Sequence, residues 1–394
     1  MGYVRAAVGV SSAGDTDSAV EEAVRRARAG MSGVDPALVF LTATVDHDAS
    51  DVFNRVRSQF PGARIHGSTT SLGVLCPDGV VMGNGGAVGV LLVGGDGLDT
   101  HAGSAVIKDD PEAAGRAAAE ALGDRSPAVL LFSVAPGAEE AVLRGVRGVL
   151  GDVPIFGGSA ADHAIAGDWS VFTDDGPFRS AVSLVSIAGD VAVGAHFLSP
   201  YRPTEARAEV TGAQGRTITE IDGKPASETL HAWIGDSIAQ QVEAGGNVLA
   251  QTAFRPLGLP LATSTGDRYL AIHPASIRAE DGAVNVFAQV PLGTKVCVMD
   301  GDAEGLIGAL DTLIEEAKKA GGGFIPRAGF LIYCAGCAGA VGQALDAGLR
   351  DAWKRGLDGV PMLGLCSFGE QGTLPEIGPV HANLSMSLVL LGDR

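Results

Sequence analysis

The residues best equipped for chemistry lie close together toward the C-terminal end of the sequence. Cys334 and Cys337 are separated by two residues, and Cys366, Ser367 and Glu370 follow after one helical stretch. A Cys-x-x-Cys between a strand and a helix suits a dithiol redox pair, because the helix N-terminus favours the thiolate. With a fourth ligand the thiols could hold zinc, and His381 is the histidine nearest in sequence to Cys366. Cys366 with a histidine or Glu370 would be a nucleophile–base pair. Each reading has a plain rival. Cys334 closes the apolar run AGFLIYC, where a thiol behaves as a small packed hydrophobe or lines a pocket. The residue types favour that rival, and no metal or cofactor is expected.

Three glycine–hydroxyl segments are the stronger candidates: Gly67-Ser68-Thr69-Thr70, Gly157-Gly158-Ser159 and Gly364-Leu365-Cys366-Ser367. Read as strand-end turns, they lie where α/β proteins hold ligands, outside the carboxyl ends of strands. Small residues let a ligand reach backbone N–H groups, and hydroxyls orient it. A small carboxylate or amide would suit such a pocket. Tight turns without a ligand remain the alternative. No segment is a phosphate loop, since neither GxxxxGK[ST] nor a helix-opening GxGxxG occurs. Asp162-His163 follows the second segment and could add polar groups or be an exposed loop pair. Arg268 and Arg255 stand on or beside apolar strands and could clamp a carboxylate or form surface ion pairs.

These residues are carried by a unit that recurs. PALVFLTA, a helical stretch around Phe53–Phe60 and ARIHG make a first strand–helix–strand copy. PAVLLFSV, AEEAVLRGVRGVL and VPIFG make a second, and AGFLIYC, a helix bearing Leu345, Leu349 and Trp353, and VPMLG make a third. Each spans roughly 30 residues or slightly more, as a parallel crossover requires. A further apolar strand follows each copy: AVGVLLVG, AVSLVSIAG and NLSMSLVLLG. The expected fold is mixed α/β, with repeated βαβ-type units, largely antiparallel additional strands and two related halves. Residues 199–213, with Pro200 and Pro203, are the expected boundary, giving domains 1–203 and 204–394. Ser18 and Glu21 read as a capping box for a helix that Gly30 stops. Asp110-Pro111 reads as a helix start, and Pro77-Asp78-Gly79 as a hairpin turn. In the second half, SETLHAWIGDSIAQQVEAGG reads as one helix, followed by a meander of short strands beginning with NVLAQTAF.

Composition excludes several partners. With 28 basic and 46 acidic residues the net charge is −18, and no Lys/Arg cluster offers a nucleic-acid surface. Glycine, 57 of 394 residues, points to tight turns and close backbone approaches. The five cysteines are an odd, scattered set, and MGYVRAAVGV lacks a secretory apolar segment. No apolar run reaches about 18 residues, so no membrane span is expected. A cytoplasmic location with reduced thiols is the expectation.

Several marks in order resemble the FIST family, a sensory module with N-terminal and C-terminal parts found in bacterial signalling proteins and some eukaryotic F-box proteins. GSTTSLGV and IFGGSAAD carry the resemblance in the first half. EIDGKPASETL, RPLGLP, Arg268 in DRYLAI, VPLGTKV, the strand ending in Cys334, and FGEQGTLPEIGP carry it in the second. The resemblance implies a non-enzymatic sensor that binds a small molecule, such as an amino acid or related metabolite. It covers nearly the whole chain. No output domain is fused to it, so the signal would pass to a separate signalling protein. Two departures stand out. Cys337 occupies a position where the family places a basic residue, and QGTLP interrupts the run into Ile-Gly-Pro, leaving either Glu370 or Glu376 for the acidic position. A thiol-dependent enzyme using Cys366 or Cys334, and a protein-interaction scaffold, are the alternative functions.

Overall fold

The computed structural model describes residues 2–123 and 126–393. The first unit runs β1 (Arg5–Ser11), α1 (Thr16–Met31), β2 (Leu38–Ala43), α2 (Ala49–Gln59) and β3 (Arg64–Thr69). A hairpin, β4 (Ser71–Cys76) and β5 (Gly79–Val81), precedes its last strand β6 (Val88–Gly94). The second repeats that order: β7 (Leu98–Val106), α3 (Pro111–Glu120), β8 (Val129–Val134), α4 (Glu139–Leu150) and β9 (Ile155–Ser159). Its hairpin is β10 (Val171–Thr173) and β11 (Gly176–Phe178), and β12 (Ala181–Gly189) closes it.

The third unit opens with β13 (Ala192–Leu198) and is then interrupted by an inserted sheet. That insert holds β14 (Arg202–Gln214), β15 (Thr217–Ile221), β16 (Lys224–Pro225), α5 (Ala226–Ile234), α6 (Ala239–Ala244), β17 (Gly246–Asn247) and α7 (Leu249–Thr252). It continues through β18 (Leu257–Thr263), β19 (Gly266–Ile272), β20 (Pro274–Ile277), β21 (Val284–Val286) and β22 (Lys295–Asp300). The repeated order then resumes with α8 (Ala303–Ala320), β23 (Ile325–Cys334), α9 (Ala335–Val341), α10 (Ala344–Leu357) and β24 (Met362–Ser367). The hairpin β25 (Glu370–Leu374) and β26 (Gly378–Ala382), then β27 (Met386–Asp393), complete it.

Strand order reveals how the units are joined. The first sheet runs β1-β6-β2-β3-β10-β11, the second β7-β12-β8-β9-β25-β26, and the third β13-β27-β23-β24-β4-β5. Each unit thus lends its hairpin to one neighbour and receives a hairpin from the other, so the three close in a ring. Hairpins cross the expected boundary near residue 203 in both directions. The central pair of each sheet is parallel, and the flanking pairs are antiparallel. At Gly67, Gly157 and Gly364 an added Cβ would lie 1.9, 1.7 and 2.8 Å from the carbonyl oxygens of Leu41, Phe132 and Leu331. Those are their register partners across the parallel pairs. The recurring glycines therefore stand inside strands, not in turns, and answer to a close backbone approach.

The inner faces of the three sheets share one core, in which Phe40, Leu131 and Phe330 come from equivalent strands. Phe40 meets Phe330 edge-on with ring centroids 5.4 Å apart. Helices cover the outer faces: α1 and α2 on the first sheet, α3 and α4 on the second, α8 and α10 on the third. Among the described residues no helix is long and apolar enough to cross a membrane.

Several local expectations give way to stronger neighbours. Asp15, not Ser18, caps α1, accepting from the Ser18 N–H at 2.8 Å, and the helix runs through Gly30 to Met31. Residues 199–213 are mostly β14, whose ladder with β22 breaks between Pro203 and Arg207, where proline cannot donate. The helix expected over 227–246 is broken at Gly235, whose φ of 87° ends α5. NVLAQTAF holds the short helix α7 instead of a strand, with Thr252 Oγ1 bonded to the carbonyls of Val248 and Pro274. The small-residue stretch after the strand ending in Cys334 is itself a separate short helix, α9.

Candidate functional site

The three parallel pairs end at a common place, and their ends are tied to one another. The Ala161 N–H donates to Thr69 O at 3.0 Å, and the Phe368 N–H to Ser159 O at 3.3 Å. The Cys366 N–H donates to Thr70 Oγ1 at 2.8 Å. Beside this junction a cavity of about 640 Å³ opens between the ring and the inserted sheet. Ser71 and Leu72 reach it from the first unit, Glu139, Ile165 and Trp169 from the second, and Cys334, Ser367 and Asn383 from the third. The insert closes it with Arg216, Phe254, His273 and Phe287. Trp169 meets Phe368 edge-on at 6.1 Å between centroids.

Of the residues singled out from sequence, Cys334 and Ser367 form cavity wall. Glu370 stands directly behind Ser367: it is fully buried, accepts from Ser367 Oγ at 2.6 Å, and takes the Ser385 N–H at 3.0 Å. Burial, reinforced by the Cys334 thiol, holds its carboxyl well above the usual carboxylate range. Glu376, the other candidate for the acidic position, bonds exposed Ser264 at a hairpin turn. Thr70 is spent on joining the first and third units, through Gly73 O at 2.8 Å and Cys366 N. Thr69 accepts from the Ser170 N–H at 2.9 Å and borders a separate depression. Ser68 is buried with its hydroxyl unpaired. Ser159 donates to Glu139 at 2.8 Å, and Gly158 lets Ser367 and Ile332 approach closely. Arg268 is exposed on β19, near His196 and Glu376 rather than the cavity.

Asp162 is a loop organiser. Its carboxylate accepts the backbone N–H groups of Ala164, Ile165, Ala166, Gly167 and Asp168. Burial alone would raise it, yet those donors hold it below the ordinary value. The loop so fixed places Ile165 and Trp169 on the cavity.

The thiols do not form the sets considered above. All five cysteines are free and buried. Cys334 caps α9, but burial first and Cys337 second push its thiol well up. Cys366 lies wholly inside the core and is raised by burial, then by Cys334 and Glu370. A redox pair or nucleophile needs the opposite shift. Cys337 rests 3.6 Å from the Tyr201 hydroxyl. His381 joins Glu139 and Glu140, not the cysteines, and its ring is engaged by Gln371 and Phe287 O.

Several site residues carried no local signal. Arg216 bridges Glu139 at 2.6 Å and Glu140 at 2.5 Å, so two carboxylates face one guanidinium. Burial opposes the Glu139 charge, while His381 and Arg216 keep its carboxyl below the ordinary value. Asn383 accepts the His273 N–H through Oδ1 at 3.1 Å, which leaves its buried Nδ2 without a partner. Arg216 Nε is likewise unpaired. His273 is held neutral by burial, its value pushed down to about 4. Its only sequence-level hint, and that of Asn383, was a polar residue within an apolar run.

Three residues at the cavity have left-handed backbones without being glycine: Leu72 (φ 57°), Ile165 (φ 56°) and Leu384 (φ 50°), the last packed on Gly336. Such conformations cost on the order of 1–3 kcal/mol each and gather at functional sites. The arrangement is suited to holding a ligand in an apolar chamber with a few fixed polar groups.

The FIST N domain profile matches residues 37–224 and the FIST C domain profile residues 226–373. No curated protein matches the chain. Among solved structures 14 chains match, including a cyanuric acid hydrolase from A. caulinodans that is 8% identical, covers 99% of both chains and has a TM-score of 0.39. That likeness is too weak to support a conclusion about activity.

Proposed function

The chain belongs to the FIST family, whose domains serve as signalling sensors, and from that premise we propose that it senses a small metabolite bound in the cavity at the strand ends. The ligand is an amino acid or related metabolite, and the signal passes to a separate protein. The N-like half, residues 1–203, contributes the rim with Leu72, Ile165 and Trp169. The C-like half, residues 204–394, contributes Cys334, Ser367, Asn383 and the aromatic wall. One observation carries the reading: two strained non-glycine residues, Leu72 and Ile165, line an apolar cavity with an unpaired buried donor, and a third, Leu384, packs on its wall at Gly336. A volume of about 640 Å³ falls within the range of roughly 300–1,000 Å³ typical of small-molecule sites.

A thermal-shift screen against metabolites tests it. A ligand at a hundredfold excess over its Kd adds about 2.7 kcal/mol of stability. Gly339 lies on α9 at the cavity, where an added Cβ meets only Leu72 Cδ1 at 4.0 Å. Gly339→Phe should therefore fold, fill the chamber and erase the shift. Absence of any stabilising compound at millimolar concentration would refute the reading.

A further inference from the structure

We infer that, within the class of amino acids and related metabolites, the cavity takes an uncharged relative and not a free amino acid: a carbonyl compound of primary-amide type on an aryl or arylalkyl body, without a free carboxylate. This rests on the cavity being the sensory site. Three independent features lead to it.

The first is charge. Every cation at the cavity is already matched or outnumbered. Arg216 sits between Glu139 and Glu140, with His381 beside them, so its charge is already answered. His163, on the rim, pairs with Asp46 at 2.8 Å. His273 is neutral, and burial with the Cys334 thiol keeps Glu370, behind Ser367, well above the usual carboxylate range. Among the described residues no lysine lines the cavity. An incoming carboxylate would find its possible cation partners already engaged in a poorly solvated space.

The second is the pair of open hydrogen-bonding positions. Asn383 is 2% exposed, and because its Oδ1 takes the His273 N–H, the free end is the Nδ2 donor. Ser367 Oγ lies 2.6 Å from Glu370 Oε1 and 3.4 Å from Tyr333 O, and its oxygen keeps a lone pair that can accept. Glu370 bonds both Ser367 Oγ and the N–H of Ser385, two residues after Asn383, which holds donor and acceptor on the same wall. A primary amide answers both, its carbonyl toward Asn383 and its N–H toward Ser367. A carboxylate can satisfy the donor but brings no proton for Ser367. A buried polar group left unmet is costly, so such a site disfavours ligands that cannot fill both positions.

The third is the body of the chamber. Phe254, Phe287, Trp169 and Phe368 line it together with the small residues Ala335, Gly336 and Gly339 of one helix. Aromatic side chains together with a small-residue helix suit a planar ring.

Calorimetric titration of the full chain with matched pairs tests this: 3-phenylpropanamide against 3-phenylpropanoate, and indole-3-acetamide against indole-3-acetate. The amide of at least one pair should bind ten-fold or more tighter than its acid. Asn383→Leu should weaken binding of both members of that pair, since each offers an oxygen to the Nδ2 donor. Glu140→Gln, at a partly buried position behind Arg216 and outside the cavity lining, should strengthen acid binding several-fold, so the outcome does not hang on one variant folding. Equal or tighter binding of the acids would overturn the inference, as would failure of every pair in both forms. The sensor reading itself would survive either result if the wider metabolite screen still finds a stabilising compound.

Discussion

Asp162 and Glu370 show two opposite uses of a buried carboxyl. Asp162 spends its charge on five backbone N–H groups, so Asp162→Ala should cost on the order of 3 kcal/mol in urea unfolding and loosen the Ile165–Trp169 segment. Its folded value is lowered, so this stability is present above the ordinary carboxylate value and is lost as pH falls through the lower folded one. Glu370 is raised by burial, and the folded protein holds its proton more tightly than the unfolded chain does. That contribution is complete below the ordinary carboxylate value and disappears as pH rises through the folded one. Glu370→Gln removes this dependence, so the variant should gain stability relative to the parent as pH increases from about 4 to about 8. Histidines act in the other direction. Burial pushes His66 down to about 3 and His273 down to about 4. Both resist protonation that the unfolded chain accepts near pH 6.5, so stability should fall below that pH by up to about 1.4 kcal/mol per unit for each. His66→Gln, which can keep bonds to Ser183 and Ser133, should make the acid limb shallower in pH-dependent melts.

At the scale of elements, the recurring glycine is the clearest feature, and its meaning changed between sequence and structure. Small residues at strand ends were legible, and so was their threefold repetition. Their role as contact points between paired strands was not, because that depends on a partner strand some 25 or more residues away. Gly157→Ala should be severe, since the added Cβ falls 1.7 Å from Phe132 O, a clash that costs on the order of 3 kcal/mol or more. Denaturant unfolding measures it against Gly339→Phe, which the open cavity should tolerate. Helix starts were readable where one residue type dominates, as at Asp110-Pro111, where Asp110 accepts from the Ala113 N–H. They were misread where two polar residues compete, as at Asp15 and Ser18. NVLAQTAF has the composition of a strand, but its ends are fixed by contacts to β20, and tertiary packing decides short segments.

The whole molecule is a ring closed by exchanged hairpins, with a sheet inserted into its third unit. Closure makes the parts interdependent. A fragment of residues 1–203 would lack the hairpin β25–β26 that completes the second sheet, and its own β4–β5 would have no third sheet to join. Such a fragment should expose unpaired strand edges and fail to fold cooperatively, whereas the full chain should unfold with coincident circular-dichroism and fluorescence transitions. The sequence by itself determined the mixed α/β class, the three strand–helix–strand copies, the family and the location of interest at strand ends. Those properties are written in local periodicity and in residue types a few positions apart. Only the tertiary structure decided which side chains face the chamber: Cys334 but not Cys366, Ser367 but not Thr70, and Arg216 and Asn383, which no spacing announced. Facing is a relation between segments far apart in the chain, and the ring's closure, not any local preference, fixes which of them meet.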